Sequence, residues 1–290
     1  MTQQQIIEKF TKVKSQYESS QKTFKQELSE IYDNYVGKME EVVNTPYDTK
    51  ENIPKLRTEI SYVKPFIFSG EPEIEIEGVG DEDKDISKIL EKIVNYRLSQ
   101  SIPNAYEKIE SWVHQAVTFG TSIIKVIWKF ETKEENGVKT PIKDEPDLEV
   151  PNIMDCYYNS LIPTVEGQEY MIFRSVLNVE TVKENPAYDY EVNGKKNVKK
   201  LKPKKFLASD VSNSTVQTDA QLLANQSNVV EVYEMISKDR IITIAEGEET
   251  LVLRDTPNSY GFINAVKFIF EPNTIPNTFN GMGVGQNTLG

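Results

Sequence analysis

The sequence predicts an α+β fold, with helices in the first part of the chain and short, mostly antiparallel strands in the rest. Apolar residues recur at steps of three and four over the first 43 residues and again over 85–119, which is the periodicity of amphipathic helices. From residue 121 onwards, β-branched and aromatic runs alternate with turn residues, which is typical of hairpins and meanders. Helices that precede the strands, rather than alternating with them, favour antiparallel sheets.

A single long helix is predicted for residues 4–43. Its apolar stripe consists of Ile6, Phe10, Val13, Tyr17, Phe24, Leu28, Ile31, Tyr35, Met39 and Val42. Ser20 and Glu27 interrupt the seam that a coiled coil would need. We therefore expect this helix to pack on its own domain, and a dimer formed through residues 4–43 is the alternative.

Three shorter helices and one strand are predicted before residue 121. The helices cover residues 53–66, 85–100 and 104–119. The last helix should end at Gly120 in a left-handed cap, because glycine adopts that conformation without strain. The segment "EPEIEIEG" alternates strictly, so it predicts a half-buried strand with Ile74 and Ile76 pointing inward.

The strands after residue 120 are predicted to form a hairpin and a meander. "TSIIKVIWKF" and "VKTPIK" should pair, with Pro141 marking the second strand as an edge strand. "YMIFRSVL" predicts another strand, and the capped helix "NVETVKENP" follows it. The remaining strands are "VVEVYEMIS", "RIITIAEG", "ETLVLRD" and "AVKFIFEP". Residues 1–130 thus form a helical part with the first strands, and residues 131–189 and 229–290 form the mainly β part.

Residues 190–228 separate the two stretches of the β part. The tract begins with seven lysines and continues with residues rich in Ser, Thr, Asn and Gln, so we expect a flexible insertion. The lysines are Lys195, Lys196, Lys199, Lys200, Lys202, Lys204 and Lys205. A solubilising charged loop is the simplest interpretation, and a contact with DNA phosphates or with a partner is the alternative.

The sequence gives little evidence for catalysis. His114 lies in a predicted helix without an adjacent partner, and Cys156 lies among aromatic residues, which is typical of an inert packed thiol. The acidic residues of 81–85 alternate as in a calcium loop, but Ile86 and Lys92 stand where glycine and the bidentate glutamate are required. We therefore predict no catalytic residue, no metal site and no cofactor.

The closing glycines do not form a nucleotide-binding motif. Gly281, Gly283 and Gly285 have the spacing G-x-G-x-G, whereas a dinucleotide loop needs G-x-G-x-x-G between a strand and a helix. A phosphate-binding P-loop would in addition need a lysine followed by serine or threonine. These glycines therefore do not form a nucleotide site.

Composition restricts the class of protein. The net charge of −12, from 45 acidic and 33 basic residues, argues against a protein that coats nucleic acid. The single cysteine favours a reducing compartment, and the absence of a long apolar run predicts no contact with a membrane.

Taken in order, several segments resemble the portal protein of tailed bacteriophages. The N-terminal helical region resembles the start of the portal wing, and "AVTFGTSIIKVIWKF" is similar to a helix, glycine turn and strand of that family, with Ser122 replacing a second glycine. "EVPNIMDCYYNS" resembles a family stretch in which proline is common where Ser160 stands. "VVEVYEMIS" resembles the strand that opens the next sheet, and "FIFEPNTIPNTFNGMGVGQ" resembles the run that leads into the stem helix.

This resemblance implies an architecture and a set of partners. The chain would be the wing of a portal subunit, with Gly120, Gly281 and Gly283 as turn positions whose close passage and dihedrals require glycine. Family portals form rings of twelve subunits that pass double-stranded DNA through the capsid vertex. They contact the terminase large subunit, the major capsid protein and tail adaptor proteins. The location implied is the virion and, during assembly, the host cytoplasm.

The resemblance also sets expectations for assembly. The stem, clip, tunnel loop and crown would lie outside these residues, and helix 4–43 would contribute most to contacts between wings. Two other classes stay open, namely a helical adaptor or scaffold that dimerises through residues 4–43 and, with less support, a metal-dependent nuclease.

Overall fold

Helices from the first part of the chain pack against antiparallel sheets in the computed structural model, which describes residues 2–37, 55–70, 72–135, 138–204 and 228–288. The predicted α+β class is confirmed. The helices are α1 (Gln3–Val36), α2 (Lys55–Ile67), α3 (Lys84–Tyr96), α4 (Ala105–Phe119), α5 (Val179–Glu184) and α6 (Val284–Thr288). Of these described helices, none is both long and apolar enough to cross a membrane.

Helix α1 is capped at both ends by residues suited to that purpose. The Gln5 amide donates to the Thr2 hydroxyl at 3.4 Å, and the Thr2 amide donates to the Gln5 side chain at 2.9 Å, which is a capping box. Gly37 ends the helix with φ of 72°, because a left-handed residue cannot continue it. The predicted extent is therefore too long, and residues 38–43 lie outside the described part of the chain.

The apolar stripe of α1 is buried against its own chain, as expected. Ile6 and Phe10 pack beneath the N-terminal half of the helix with Tyr233, and the Phe10 and Tyr233 rings lie 5.3 Å apart. Leu28 and Ile31 join the main hydrophobic core, which includes apolar side chains of α2 and α4. Burial of this stripe favours a core helix over a dimer seam.

The ten strands of the described residues form three antiparallel sheets. They are β1 (Thr121–Glu135), β2 (Val138–Glu149), β3 (Cys156–Tyr157), β4 (Met171–Asn178), β5 (Glu191–Val192), β6 (Lys195–Lys196), β7 (Val229–Ile236), β8 (Arg240–Glu246), β9 (Thr250–Pro257) and β10 (Ala265–Ile269). The orders are β10-β1-β2, β3-β4-β7-β8-β9 and β5-β6. The predicted hairpin and meander are confirmed, and β2, which contains Pro141, is an edge strand.

Residues 72–78 do not form the predicted strand. Their backbone bonds to side chains of α3: the Ile74 amide donates to Asn95 Oδ1 at 3.0 Å, and Asn95 Nδ2 donates to the Ile74 carbonyl at 2.9 Å. The Ile76 amide donates to Glu91 at 3.2 Å. The alternating pattern predicted a strand, but a strand also needs a neighbouring strand, and here the backbone of residues 74–76 bonds to side chains of a helix instead.

Residues 190–204, the described part of the insertion predicted over 190–228, form a small hairpin and a short 3-10 turn. Asn193 and Gly194, with φ of 53° and 71°, connect β5 to β6 as a two-residue hairpin turn requires. Val198 and Leu201 are then buried in a core shared with α5, β7 and β9. The Asn-Gly pair signalled this hairpin in the sequence, and residues 205–227 lie outside the described part of the chain.

Candidate functional site

The junction between the end of α4 and the start of α6 contains the predicted turn glycines. Gly120 ends α4 with φ of 82°, and its carbonyl accepts a bond from the Phe270 amide at 3.1 Å. The Gly281 amide donates to the Thr121 hydroxyl at 2.7 Å. Met282 exchanges two backbone bonds with Glu271, of 2.8 and 3.1 Å. These contacts fix residues 281–282 across the turn between α4 and β1.

Close backbone approach explains why glycine occupies this junction. A Cβ on Gly281 would lie 2.6 Å from the Glu271 carbonyl oxygen, and a Cβ on Gly283 would lie 2.8 Å from the Thr118 carbonyl oxygen. Neither residue has a positive φ, whereas Gly120 has one. The expectation that the backbone dihedrals require glycine is therefore correct for Gly120 and wrong for Gly281 and Gly283. Sterics alone exclude side chains at those two positions.

Side chains on both sides complete the junction. Phe279 is fully buried and its ring centroid lies 4.0 Å from that of Tyr158. Gln286 accepts a bond from the Gly283 amide at 2.7 Å and donates to the Phe119 carbonyl at 3.1 Å. The first turn of α6 is thereby tied to the last turn of α4.

A buried lysine connects the two larger sheets. The Lys125 ammonium on β1 lies 2.7 Å from Glu234 on β7 and 3.1 Å from Glu149 on β2, with only 5% of its side chain exposed. Burial opposes the charged forms, but the ion pair outweighs it, so the pKa of Lys125 is raised and that of Glu234 is lowered. Removal of one member would leave the other charged group without its partner.

A second ion network includes one of the predicted contact lysines. Arg174 on β4 lies 2.7 Å from Asp155 and 2.6 Å from Glu231, and the Lys204 ammonium also bonds to Glu231. Although burial alone would raise it, the pKa of Glu231 is lowered because Arg174 and Lys204 stabilise its charge. Lys204 therefore has a structural partner inside this network.

Of the other described lysines of this group, one forms an ion pair and four are exposed. Lys202 forms an ion pair with Glu248 at 3.1 Å. The remaining described lysines of this group are exposed: Lys195, Lys196, Lys199 and Lys200. Lys205 lies outside the described residues. The exposed members lie along a hairpin and a short turn, which is compatible with a solvated surface as well as with phosphate contacts.

The histidine and cysteine singled out from the sequence have structural surroundings. His114 Nε2 lies 3.4 Å from the Tyr35 hydroxyl, and burial together with Lys64 lowers the pKa of the imidazole. Cys156 is fully buried, its thiol donates to the Asn152 carbonyl at 3.3 Å, and burial raises its pKa well above the ordinary value. A protonated, inaccessible thiol is a poor nucleophile.

The acidic residues do not gather into a metal centre in the part of the chain that the structure describes. Within these ranges, no group of three or more histidine, cysteine, aspartate or glutamate side chains is placed to hold a metal ion. Asp81–Asp83 form a short 3-10 turn before α3, and Asp81 pairs with Lys84 at 2.5 Å. These exposed acids complement the positive start of the helix.

Two exposed apolar surfaces were not predicted from the sequence. The first, the α3 stripe, consists of Ile86, Ile89, Leu90, Ile93 and Tyr96, whose exposures run from 46% to 60%. The second, the sheet patch, consists of Val126, Trp128 and Val266. The spacing of residues 85–100 predicted an amphipathic helix, but it did not tell which face the rest of the chain covers.

Lys25 on α1 is a partly buried cation whose ionisation should affect stability. Its ammonium lies 3.8 Å from the centroid of the Tyr157 ring, and burial lowers its pKa to about 8. Below pH 8 Lys25 is charged in the folded protein, where burial makes the charged form less stable than it is in the unfolded chain. This penalty should disappear as pH rises from about 8 through the unfolded value of 10.5.

We expect Lys25→Met to stabilise the protein by about 1–2 kcal/mol at pH 7, after allowance for the lost contact with Tyr157. The gain should shrink as pH rises towards 10. Urea denaturation at both pH values measures it, with Lys22→Met as the control because Lys22 is exposed on the same helix. A destabilised Lys25→Met variant at pH 7 would contradict the argument.

Comparison with known proteins does not assign the chain to a family. No protein-family model matches it, and a search of the curated proteins returns no significant match. The function therefore has to be argued from the residues themselves.

Proposed function

We propose that this chain is the wing of a portal subunit, which assembles into the ring that conducts DNA at the capsid vertex of a tailed bacteriophage. The observation that carries the proposal is the glycine junction. There the chain leaves β10, crosses the end of α4 at Gly281 and Gly283, and begins α6 at Val284. From the resemblance to the portal family, we expect a close passage of this kind, followed by the start of a helix.

The charge of the chain is compatible with a conduit for DNA. A channel that moves DNA must not hold the phosphate backbone tightly, and a net charge of −12 disfavours tight binding. Exposed lysines between 195 and 202 supply a local positive surface, which would weaken in added salt. In this proposal the chain acts by assembly and by binding the terminase, capsid and tail adaptor proteins, without catalysis of its own.

The adaptor alternative receives less support from the packing of α1. A dimer through residues 4–43 would need an exposed apolar seam, yet Ile6, Phe10, Leu28 and Ile31 are fully buried within the same chain. Of the exposed large apolar side chains in the described residues, Val36 lies on α1 and the others lie elsewhere, including α2, α3 and the three-stranded sheet.

The test is the assembly state of the protein produced at the full length of its reading frame. Mass photometry and electron microscopy should find closed rings with an axial channel wide enough for double-stranded DNA. A stable dimer would favour the adaptor and overturn the proposal. Mg²⁺-dependent DNA cleavage that is lost on substitution of Asp81, Asp83 and Asp85 would favour the nuclease instead.

A further inference from the structure

The Asn193–Gly194 pair forms the exposed tip of the β5–β6 hairpin. Among the described residues, none forms a hydrogen bond with the Asn193 side chain or with the Gly194 amide. A Cβ built on Gly194 would meet nothing within 4 Å. The side-chain amide of Asn193 and the backbone nitrogen of Gly194 are therefore both accessible, and no other group shields one from the other.

The tip of this hairpin is held together weakly. Strands β5 and β6 form a separate two-stranded sheet, in which Glu191 pairs with Lys196 and Val192 pairs with Lys195. A two-stranded hairpin of this size is marginally stable on its own. Asn193 also has a φ of 53°, a left-handed conformation that strains a residue with a Cβ. Opening of the tip should therefore cost little free energy, and it would let the Asn193 backbone rotate.

The chain on both sides of the hairpin is anchored to the rest of the protein. The Tyr190 amide donates to the Leu253 carbonyl at 3.0 Å, and the Asn197 amide donates to the Tyr190 carbonyl at 2.9 Å. Val198 and Leu201 then lie in the hydrophobic core that α5, β7 and β9 share. The tip can therefore open while the fold that carries it stays intact.

The same dipeptide occurs at the glycine junction in the opposite environment. The Tyr158 hydroxyl donates to Asn280 Oδ1 at 2.5 Å, and the Gly281 amide donates to the Thr121 hydroxyl at 2.7 Å in a buried position. Any reaction between the Asn280 side chain and the Gly281 nitrogen would first have to break both bonds. The other Asn-Gly pair of the sequence, at 136–137, lies outside the described residues.

We propose that Asn193 is a site of spontaneous deamidation, in which Gly194 supplies the attacking nitrogen. The deprotonated Gly194 nitrogen forms a bond to Cγ of Asn193, and the side-chain nitrogen takes up protons from water and leaves as ammonia. Water then opens the resulting cyclic succinimide. Attack at Cγ gives aspartate, and attack at the main-chain carbonyl gives isoaspartate with a free main-chain carboxylate.

The net reaction consumes water and releases ammonia, without an oxidant or a reductant. Either product adds a negative charge to a tip that already carries Glu191, Lys195 and Lys196. Isoaspartate also lengthens the backbone of the turn, so a two-residue connection between Val192 and Lys195 can no longer keep its geometry. This inference does not depend on the proposed function, because it rests on the hairpin alone.

Incubation of the folded, full-length protein at pH 8 tests the site, with peptide mapping by mass spectrometry at intervals. We expect deamidation at Asn193 to be at least about tenfold faster than at Asn280, because the two hydrogen bonds at the glycine junction add to the barrier there. In concentrated urea, where both pairs are exposed, the two rates should become similar. Equal rates in the folded protein would overturn the inference, and so would a reaction at Asn193 that occurs only in urea.

The products identify the attacking group. Fragmentation that distinguishes isoaspartate from aspartate should find both at position 193, because only opening of the succinimide gives isoaspartate. Aspartate alone would mean direct hydrolysis by water and would overturn the role assigned to Gly194.

Asn193→Gly is the matched control, because a Gly-Gly pair also suits a two-residue hairpin turn but has no side-chain amide. Incubated wild type and variant are treated with an isoaspartyl carboxyl methyltransferase and a labelled methyl donor, which together count isoaspartate in the whole protein. We expect less label in the variant than in the wild type. Unchanged labelling would place the isoaspartate elsewhere in the chain and overturn the inference.

Discussion

Replacement of Gly120 by alanine is expected to destabilise the protein by about 3 kcal/mol or more. The left-handed conformation, with φ of 82°, costs a residue with a Cβ about 1–2 kcal/mol. The new Cβ would in addition lie 2.5 Å from the Gly281 carbonyl oxygen, and relief of such an overlap costs about 1–3 kcal/mol. Urea denaturation of the two proteins measures the difference in the free energy of unfolding.

Gly194→Ala is the matched control for this experiment. Gly194 has a similar φ of 71°, but a Cβ there would meet nothing within 4 Å. We therefore expect a loss of about 1 kcal/mol, from backbone strain alone. Similar losses at the two positions would show that residues 281–283 do not pack against Gly120 as described, because only that contact distinguishes them.

These two glycines also illustrate how far the fold could be predicted. A glycine after an amphipathic helix predicts a cap, and Gly120 is one because the helix-ending signal is local. The reason for glycine at 281 and 283 is not local, since it depends on Glu271 and Thr118 reaching the same point in space. The resemblance implied a close backbone passage at these glycines, but the sequence did not identify the residues that they approach.

The predicted strand over residues 72–78 did not form, because an alternating pattern has more than one possible partner. The backbone of residues 74–76 bonds to the side chains of α3 and not to another strand. Val198 and Leu201, which lie between the lysines of 195–204, are core residues that the composition of the tract did not indicate. Composition averaged over a segment hides such single apolar positions. A two-residue turn signal such as Asn-Gly is local, so it is not lost in the average.

Replacement of Lys125 by methionine is expected to cost about 2–3 kcal/mol at pH 7, less than for a fully buried pair because the Glu149 and Glu234 side chains are 40% and 28% exposed. Methionine is similar in length and apolar, so it retains much of the packing against Phe173, which lies 4.7 Å from the lysine ammonium. What it removes is the positive charge between Glu234 and Glu149. The expected loss therefore comes from two carboxylates brought together without their shared cation, and not from a cavity.

The pH dependence of the loss separates this cause from a packing defect. In the wild type the pKa of Glu234 is lowered, so its contribution to stability is present above the unfolded pKa and is lost as pH falls through the folded value. In Lys125→Met, burial without the cation should instead raise that pKa, and proton uptake should stabilise the folded variant as pH falls. The difference in the free energy of unfolding between the wild type and Lys125→Met should therefore become smaller from pH 7 to pH 4.

A double variant completes the argument for the buried lysine. Lys125→Met combined with Glu234→Gln removes both charges of the 2.7 Å pair, so it should recover a large part of the stability lost in the single variant. Thermal or urea denaturation of the four proteins gives the coupling energy between the two side chains. Two results together would contradict the argument: a difference in the free energy of unfolding that does not change with pH, and simple additivity of the two substitutions. They would mean that Lys125 acts by packing alone and that ionic pairing does not join the two sheets.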